Sequence, residues 1–396
     1  MSKVVRIHEW GSPEVLHPGD ADSRAIIDWV EDGQPRQARW LSPKGSPPAS
    51  RVMVADGTMT ADEAYGLACQ GTAILWRGDY QQARQILTAL GRRADRRKPR
   101  AAVSAEAFHL YRQARSQRAR TLNALLIELD DDYSIPLRRA PDVREACAEA
   151  FGPARTACVT SLRTLLGVIG AHEWRKQGID IPEAGGRIHP HYGVFAPIRR
   201  EYVDLVSTTP LPPASAAASV AFDIGTGTGV LAAVLARRGI ERVIATDLDA
   251  RALACARDNL QRLGLSERVD LLQADLFPAG RAALAVCNPP WIPARPSSPL
   301  ENAIYDFQSG MLRGFLRALP EHLLPQGEGW LILSDLAEHL GLRSRASLLE
   351  EFERAGLRVL GRHDVPPRHP RAADASDALH VARAAEITSL WRLAAG

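Results

Sequence analysis

Asp223-Ile224-Gly225-Thr226-Gly227-Thr228-Gly229 is a glycine-rich turn that leaves one short apolar run and enters another. Glycine lets a ligand approach the backbone closely, and the start of the following helix offers free N–H groups and a positive dipole to an anion. A carboxylate or a phosphate would satisfy such a turn. The dinucleotide fingerprint requires glycine at its first, third and sixth positions; counted from Gly225 the sixth is Val230, which disfavours a nicotinamide cofactor.

Downstream carboxylates extend the argument. Asp247 ends the run Arg242 to Thr246, 22 residues after Gly225, where an acid at the end of a second strand accepts hydrogen bonds from both hydroxyls of a ribose. Asp249 is its rival, although it is equally placed to cap a helix starting at Ala250. In Ala274-Asp275-Leu276-Phe277, which closes a third apolar run, the Asp275 carboxylate suits an adenine amino group and the backbone N–H of Leu276 a ring nitrogen. Taken singly, each acid is more often a cap or turn residue. Their succession at the strand ends of one sheet, where open sheets bind ligands, favours a nucleoside.

Asn288-Pro289-Pro290-Trp291 follows the apolar run Leu284 to Cys287 and falls at the next strand end of the same series. Two prolines remove backbone donors and stiffen the loop, leaving carbonyls free to point at something. A flat NH2 group would fit there: one N–H would go to the Asn288 side-chain oxygen, the other to the Pro289 carbonyl, with Trp291 stacking on the plane and Pro290 beside it. A rigid strand-to-loop turn is the plain alternative for the tetrapeptide by itself.

These loops need a scaffold, and the second half of the sequence supplies one. Ser219 to Phe222, Arg242 to Thr246, Val269 to Gln273, Leu284 to Cys287 and Trp330 to Leu333 read as short strands, with helices over Leu231 to Arg238 and Ala250 to Leu263 between the first ones. Such alternation predicts a mostly parallel sheet covered by helices on both faces. Leu357 to Gly361 and Ile387 to Leu393 resemble two strands joined without a helix, an antiparallel edge hairpin.

Before residue 219 the pattern changes. Gly185 to Pro197, GGRIHPHYGVFAP, suits a structured crossing between domains, and Pro210, Pro212, Pro213 and the Ala/Ser run 214–218 punctuate the chain again. Tyr192, Phe195 and Pro197 form either a wall over the ligand or plain packing. His189 and His191 lie in a loop without a ligand cluster, so no metal is assigned. From about residue 60 to 130 the sequence reads as helices: one opens at Ala61, and after Asp79 a second places Ala83, Ile86, Leu87 and Leu90 on one face. The expected organisation is a mainly helical N-terminal substrate-recognition domain over 1–184, a connection over 185–218 and a catalytic domain over 219–396.

The formal net charge of +3 says little by itself, because nucleic-acid binding depends on local clustering. The cluster exists: Arg92, Arg93, Arg96, Arg97, Lys98, Arg100, Arg112, Arg115, Arg118 and Arg120 face only Asp95 and Glu106. An acidic patch, Glu128 to Asp132, follows and is able to pair with it, so a solvated helix face and a nucleic-acid or ribosome contact both remain open. At 396 residues two domains with their own cores are expected. No apolar run reaches the roughly 18 residues of a bilayer span, and the opening twenty residues carry no apolar core of a secretory signal. Five scattered cysteines without a C-x-x-C pair suggest reduced thiols, and a cytoplasmic location is expected.

Over roughly Tyr192 to Leu393 the chain resembles the class I S-adenosylmethionine (SAM)-dependent methyltransferases, and within them the small-methyltransferase group that modifies amide or exocyclic amino nitrogens. DIGTGTG is similar to the family's SAM loop, Asp247 to its ribose acid, ADLF to its adenine contact, and NPPW to its NPP-aromatic catalytic loop. The GTGTG, ADLF and NPPWIP segments look most like the release-factor glutamine methyltransferases, which carry tyrosine where this chain has Trp291 and a shorter helical N-terminal domain. The resemblance implies a Rossmann-like seven-stranded sheet, SAM as cofactor, and methyl transfer to a glutamine amide of a release factor or ribosomal component. The adenine amino group of RNA or DNA, which presents the same planar NH2, is the alternative acceptor. Two further alternatives stand: a small-molecule methyltransferase, and a nucleic-acid-binding protein that keeps the fold without catalysis.

Overall fold

The computed structural model describes residues 25–43, 45–96, 104–296, 301, 303–368, 372, 374–375 and 377–396. The described parts of Met1–Gly91 and Thr121–Gly167 form one compact unit, those of Arg92–Arg120 and Val168–Gly396 another.

In the first unit, β1 (Ile26–Glu31) and β2 (Gln34–Trp40) pair antiparallel around Asp32-Gly33. Both turn residues have positive φ, 51° and 73°, which matches the twist of a two-residue hairpin. With β3 (Val52–Ala55), β4 (Ala73–Trp76), β5 (Leu125–Leu129) and β6 (Cys158–Ser161) they make a six-stranded mixed sheet in the order β1-β2-β6-β5-β4-β3. The expected helices are present: Ala61–Cys69 opens on a Thr60/Glu63 capping box, and Tyr80–Ala94 buries Ala83 and Leu90. This half of the chain is nevertheless mixed α/β, not mainly helical. Its inner strands β4, β5 and β6 are buried almost throughout, so they are four- or five-residue stretches without alternation that periodicity cannot separate from pieces of buried helix. The acidic patch at the end of β5 is engaged within this unit: Glu128 pairs with Arg77, which also binds Glu31 at 2.6 Å, and Asp132 accepts from the Ser134 N–H at 2.7 Å.

The second unit begins, in sequence, earlier than residue 185. Residues 92–120, including most of the helix Ala105–Asn123, group with it. Phe108 of that helix is fully buried in a cluster with Ile292, Leu336, Leu340 and Leu379. Of the basic run, Arg97, Lys98 and Arg100 lie outside the described residues. A two-stranded hairpin, β7 (Ile179–Ile181) and β8 (Gly186–Ile188), turns through Gly185 at φ 82° and carries the chain into the segment ending at Pro197.

The main sheet has seven strands: β9 (Val220–Ile224), β10 (Arg242–Asp247), β11 (Val269–Gln273), β12 (Ala282–Cys287), β13 (Leu323–Ser334), β14 (Leu357–Val365) and β15 (Thr388–Ala395), in the order β11-β10-β9-β12-β13-β15-β14. The first five strands in this order are mutually parallel, and β15 runs antiparallel to both β13 and β14. Alternate residues of β12 and β13 serve opposite faces. Leu284, Val286, Trp330 and Ile332 pack with the helix Val230–Arg237, whereas Ala285, Cys287, Leu331 and Leu333 pack with the helix Gly310–His322. Helices on both faces explain why all six residues of β12 are buried. The final strands pair as expected, but their connection contains a helix, His380–Ala385, where none was expected. Leu379 and Ala382 are drawn into the cluster around Phe108, and this supplies the apolar anchor for that turn.

Candidate active site

Register fixes where the chemistry collects. Ile224 at the end of β9 is level with Thr246 on β10 and Cys287 on β12, and Asp247 is level with Gln273 on β11. The glycine turn, Asp247, Ala274-Asp275-Leu276 and Asn288 therefore all emerge past one edge. Between β9 and β12 the strand order reverses, and such a switch point is where open parallel sheets bind ligands.

The turn after β9 is held open by its neighbours. Gly225 and Thr226 donate to the Thr246 carbonyl at 2.9 and 2.8 Å, and Gly229 donates to the Thr226 carbonyl at 2.9 Å. Gly225, Gly227 and Gly229 all have positive φ. At Gly229 (φ 80°) a Cβ would meet the Cβ and Cα of Ala256 at 3.1 and 3.2 Å, so glycine lets the helix Val230–Arg237 lie against the helix Ala250–Arg262. At Gly225 (φ 74°) a Cβ would strike Met311 Cε at 2.5 Å.

Asp223 is buried beneath the turn, where one carboxylate oxygen accepts from Thr226 Oγ1 at 2.6 Å and from the Ala232 N–H at 3.0 Å. Burial pushes its pKa up to about 6, against the pull of those two donors. The folded state then binds more protons than the unfolded chain between about pH 4 and 6, so this group's contribution to stability is complete below pH 4 and is lost as pH rises through 6. Replacing Asp223 with Asn keeps an acceptor for both donors and removes the charge. The stability difference between Asp223→Asn and wild type is expected to grow by about 1–3 kcal/mol from pH 4 to pH 7. Chemical denaturation of both proteins across that range checks this; a pH-independent difference refutes it.

The two rival acids part company. Asp249 caps the helix Ala250–Arg262, accepting from the Arg251 N–H at 2.9 Å and pairing with the Arg251 guanidinium at 2.7 Å. Asp247 instead turns toward the glycine loop, accepting from Gly227 N at 3.0 Å through one oxygen and from Asp249 N at 2.9 Å through the other. Burial raises its pKa, opposed by those backbone donors. Next along the edge, Thr246 Oγ1 donates to the Leu276 carbonyl at 2.6 Å and Leu276 takes φ 69°, an unusual backbone for leucine that sets the direction of the turn, while Asp275 is exposed.

Asn288 is half-buried, Pro289 buried, and Pro290 and Trp291 half-buried. The indole Nε1 of Trp291 donates to Asn288 Oδ1 at 2.9 Å. Beyond Trp291, Ile292 forms a parallel bridge with Tyr305, and its carbonyl accepts from Asp306 N at 2.9 Å. The Asp306 carboxylate in turn accepts from the N–H groups of Met311 and Leu312, both at 3.0 Å, at the start of the helix Gly310–His322. Gln308 and Ser309 both sit at positive φ, 57° and 55°, in the tight entry to that helix. A chain of contacts thus runs from the Asn288 loop through Asp306 to Met311, which covers Gly225.

The segment that carries Tyr192 and Phe195, both half-buried, is tied to the glycine turn through its neighbours His189 and Val194. His189 N donates to Asn259 Oδ1 at 2.7 Å while Asn259 Nδ2 donates to the Thr228 carbonyl at 3.0 Å, so one buried asparagine ties this segment to the glycine turn. Val194 packs on Ala252 and Cys255, and burial pushes the Tyr192 hydroxyl up to about 12. His191 Nε2 meets Asp258 at 3.2 Å, and His189 Nδ1 meets the Arg175 carbonyl at 2.6 Å. Asn259, Asp306 and Thr246 were not singled out in the sequence: they act through backbone partners distant in the chain, and no local motif marks them.

The edge fits SAM on its own geometry: a turn with three positive-φ glycines for a carboxylate-bearing chain, and next to it a half-buried acid facing that turn. The family model described as methyltransferase small domain matches residues 186–355. A release factor glutamine methyltransferase from Cereibacter sphaeroides is 34% identical over 152 residues, covering 35% of this chain and 53% of its own. A ribosomal protein L11 methyltransferase from Pelotomaculum thermopropionicum is 44% identical over 69 residues, 17% of this chain and 22% of its own. The chain thus spans about half the length of the first of these relatives and less of the second. Among solved structures, a ribosomal protein L11 methylase from Lactobacillus delbrueckii subsp. bulgaricus is similar over 45% of this chain and 70% of that one, at 17% identity and a TM-score of 0.31. Residues 186–355 thus match the methyltransferase small-domain model, and SAM is the cofactor this match supports.

Proposed function

We propose that the chain is an N-methyltransferase that moves the methyl group of SAM to a planar NH2 nitrogen, with a glutamine amide of a protein as the acceptor. The observation that carries this reading is the placement of Asn288: it leaves β12 level with the start of the glycine turn, its side-chain oxygen oriented by the Trp291 indole. SAM supplies a methyl group on positively charged sulfur. Asp247 accepts from ribose hydroxyls, Asp275 and Leu276 hold adenine, and Asn288 Oδ1 with the Pro289 carbonyl accepts the two N–H bonds of the acceptor. The sulfur–carbon bond would break as the nitrogen–carbon bond forms, leaving a neutral thioether. The two oxygens face the nitrogen from fixed positions as it gains positive charge, which lowers the barrier without a covalent enzyme intermediate, and the nitrogen then sheds one proton to solvent. The name of the 34%-identical relative makes a release-factor glutamine the first acceptor to test, and that of the second relative points to a ribosomal protein. Both acceptors belong to translation and fit a cytoplasmic enzyme. Among the described residues no helix is long and apolar enough to cross a membrane.

Incubation of a cell lysate with methyl-labelled SAM and the protein tests the acceptor class. Label that resists nuclease, is lost to protease and co-migrates with methylglutamine after digestion supports the reading; nuclease-sensitive label overturns it.

A second reading, adenine in a single-stranded nucleic acid, is favoured by a specific feature of the rim. Arg295 stacks on Phe307 at 4.6 Å, Arg112 on Tyr305 at 4.1 Å and Arg115 near Tyr111 at 5.8 Å, all beside the Asn288 loop. Interleaved cations and rings suit phosphates and stacked bases. Arg112 and Arg118 are also paired, with Glu301 at 3.5 Å and Asp95 at 2.7 Å, whereas Arg115 and Arg295 are exposed. On this reading Arg115→Gln with Arg295→Gln lowers the slope of log affinity against log salt for single-stranded RNA by roughly 0.7 per lost phosphate contact. An unchanged slope in a filter-binding series removes the nucleic-acid reading.

A further inference from the structure

Trp291 is held from two directions. Its indole N–H meets Asn288, and the Arg199 guanidinium lies 5.3 Å from the ring centroid. Arg199 is itself fixed: its two terminal nitrogens bind the two oxygens of Glu386 at 2.6 and 3.1 Å. Glu386, only 1% exposed, accepts a third hydrogen bond from Ser334 Oγ at 2.6 Å. Ser334 ends β13, and next to it Asp335 Oδ1 accepts from Ile387 N at 2.6 Å, so the carboxylate is anchored where β13 and β15 come together.

A buried carboxylate is costly unless paired, and a two-pronged arginine pair fixes a plane as well as a charge. The guanidinium plane here is therefore a rigid surface at the indole, and cation–ring attraction at this range holds the two together. An indole N–H only donates, so it selects the oxygen of the Asn288 amide rather than its nitrogen and decides which way the amide faces. An amide oxygen has two acceptor sites. Trp291 takes one and leaves the other for an acceptor N–H.

We propose that Arg199, anchored by Glu386, is a positioning residue that sets Trp291 and through it aims Asn288 Oδ1 at the acceptor nitrogen. This rests on Asn288 being the acceptor contact, as argued above. It also gives the tryptophan a purpose beyond stacking: a ring that reaches from the arginine to the asparagine and ends in an obligate donor. Loss of aim, rather than loss of binding, is the expected defect when Arg199 changes, because a misplacement of about 1 Å costs on the order of 100-fold in rate.

Two variants separate aim from folding. Arg199→Lys keeps a positive charge for Glu386 but has no planar fork; Arg199→Met with Glu386→Gln removes both charges of the pair together. The Trp291 indole ¹⁵N–¹H resonance, assigned by its disappearance in Trp291→Phe, is followed in the full chain with SAM bound. Both variants are expected to shift it and to speed its hydrogen exchange by about 10-fold or more, and to lower single-turnover methyl transfer into the labelled lysate fraction by roughly 10- to 100-fold, with SAM affinity unchanged. An indole signal that stays in place with unaltered exchange overturns the proposal before any acceptor is known. Normal transfer by Arg199→Lys alongside a dead Asn288→Ala overturns it too. Normal transfer by Asn288→Ala instead removes the reading of Asn288 on which the proposal stands.

Discussion

Asn288→Ala is expected to lose methyl transfer by about 100-fold or more while binding SAM nearly as well as the parent protein. The side chain lies past the end of β12 and makes its one described polar contact with Trp291, not with the glycine turn or with Asp247. A planar amide or aromatic amine is a poor nucleophile, since its lone pair is delocalised. Its reactivity depends on an oxygen placed in advance to meet the charge that grows on nitrogen, and alanine offers none. Trp291 would also lose the oxygen that receives its N–H, although the apolar clusters around its ring remain. Titration calorimetry for SAM and single-turnover transfer separate the two effects. Transfer within a few-fold of the parent would leave a SAM-binding domain without this catalytic assignment.

A comparably large effect, in the opposite column, is expected for Asp247→Ala. Hydrogen bonds to a charged acceptor contribute about 1.5–3 kcal/mol each, so losing the partner of two ribose hydroxyls should weaken SAM by roughly 100-fold or more. The same oxygen pair receives Gly227 N and Asp249 N, so the turn would slacken as well. Asp249→Ala is the control. It removes a helix cap worth about 1 kcal/mol of stability and should leave SAM affinity within a few-fold. Equal affinities for parent and Asp247→Ala would strip Asp247 of its ribose role.

The second half of the chain was legible because strand, turn and acid recur there in a fixed rhythm. Val269–Gln273 forms as predicted, and the helix expected over Ala250 to Leu263 ends one residue sooner. The six-stranded sheet of the first unit was not legible by periodicity, since Ala73–Trp76 and Cys158–Ser161 are buried on both sides and show no alternation. Asp32-Gly33, between β1 and β2, marks their hairpin turn by its chemistry alone. At the candidate site the motif residues are local in sequence, whereas the residues that support them are not. Arg199 and Glu386 lie 187 positions apart, and Asn259 bridges His189 and Thr228. Only the folded chain brings such partners together. Asp247 and Asp249 likewise differ only in the folded chain, where the first accepts from Gly227 N and the second from Arg251 N.

The grouping of residues 92–120 with the second unit bears on how this protein is inherited and handled. A cut at residue 184, natural by sequence, would remove Phe108 from its place against Ile292, Leu336 and Leu379 and bare an apolar hollow beside the Asn288 loop. Such a fragment would expose surface that soluble monomers avoid and would tend to aggregate. Gene shuffling meets the same obstacle. A domain whose core borrows a helix from upstream cannot be excised by one break and pasted onto a new partner, so the two halves of this chain are constrained to travel, and to change, as a pair.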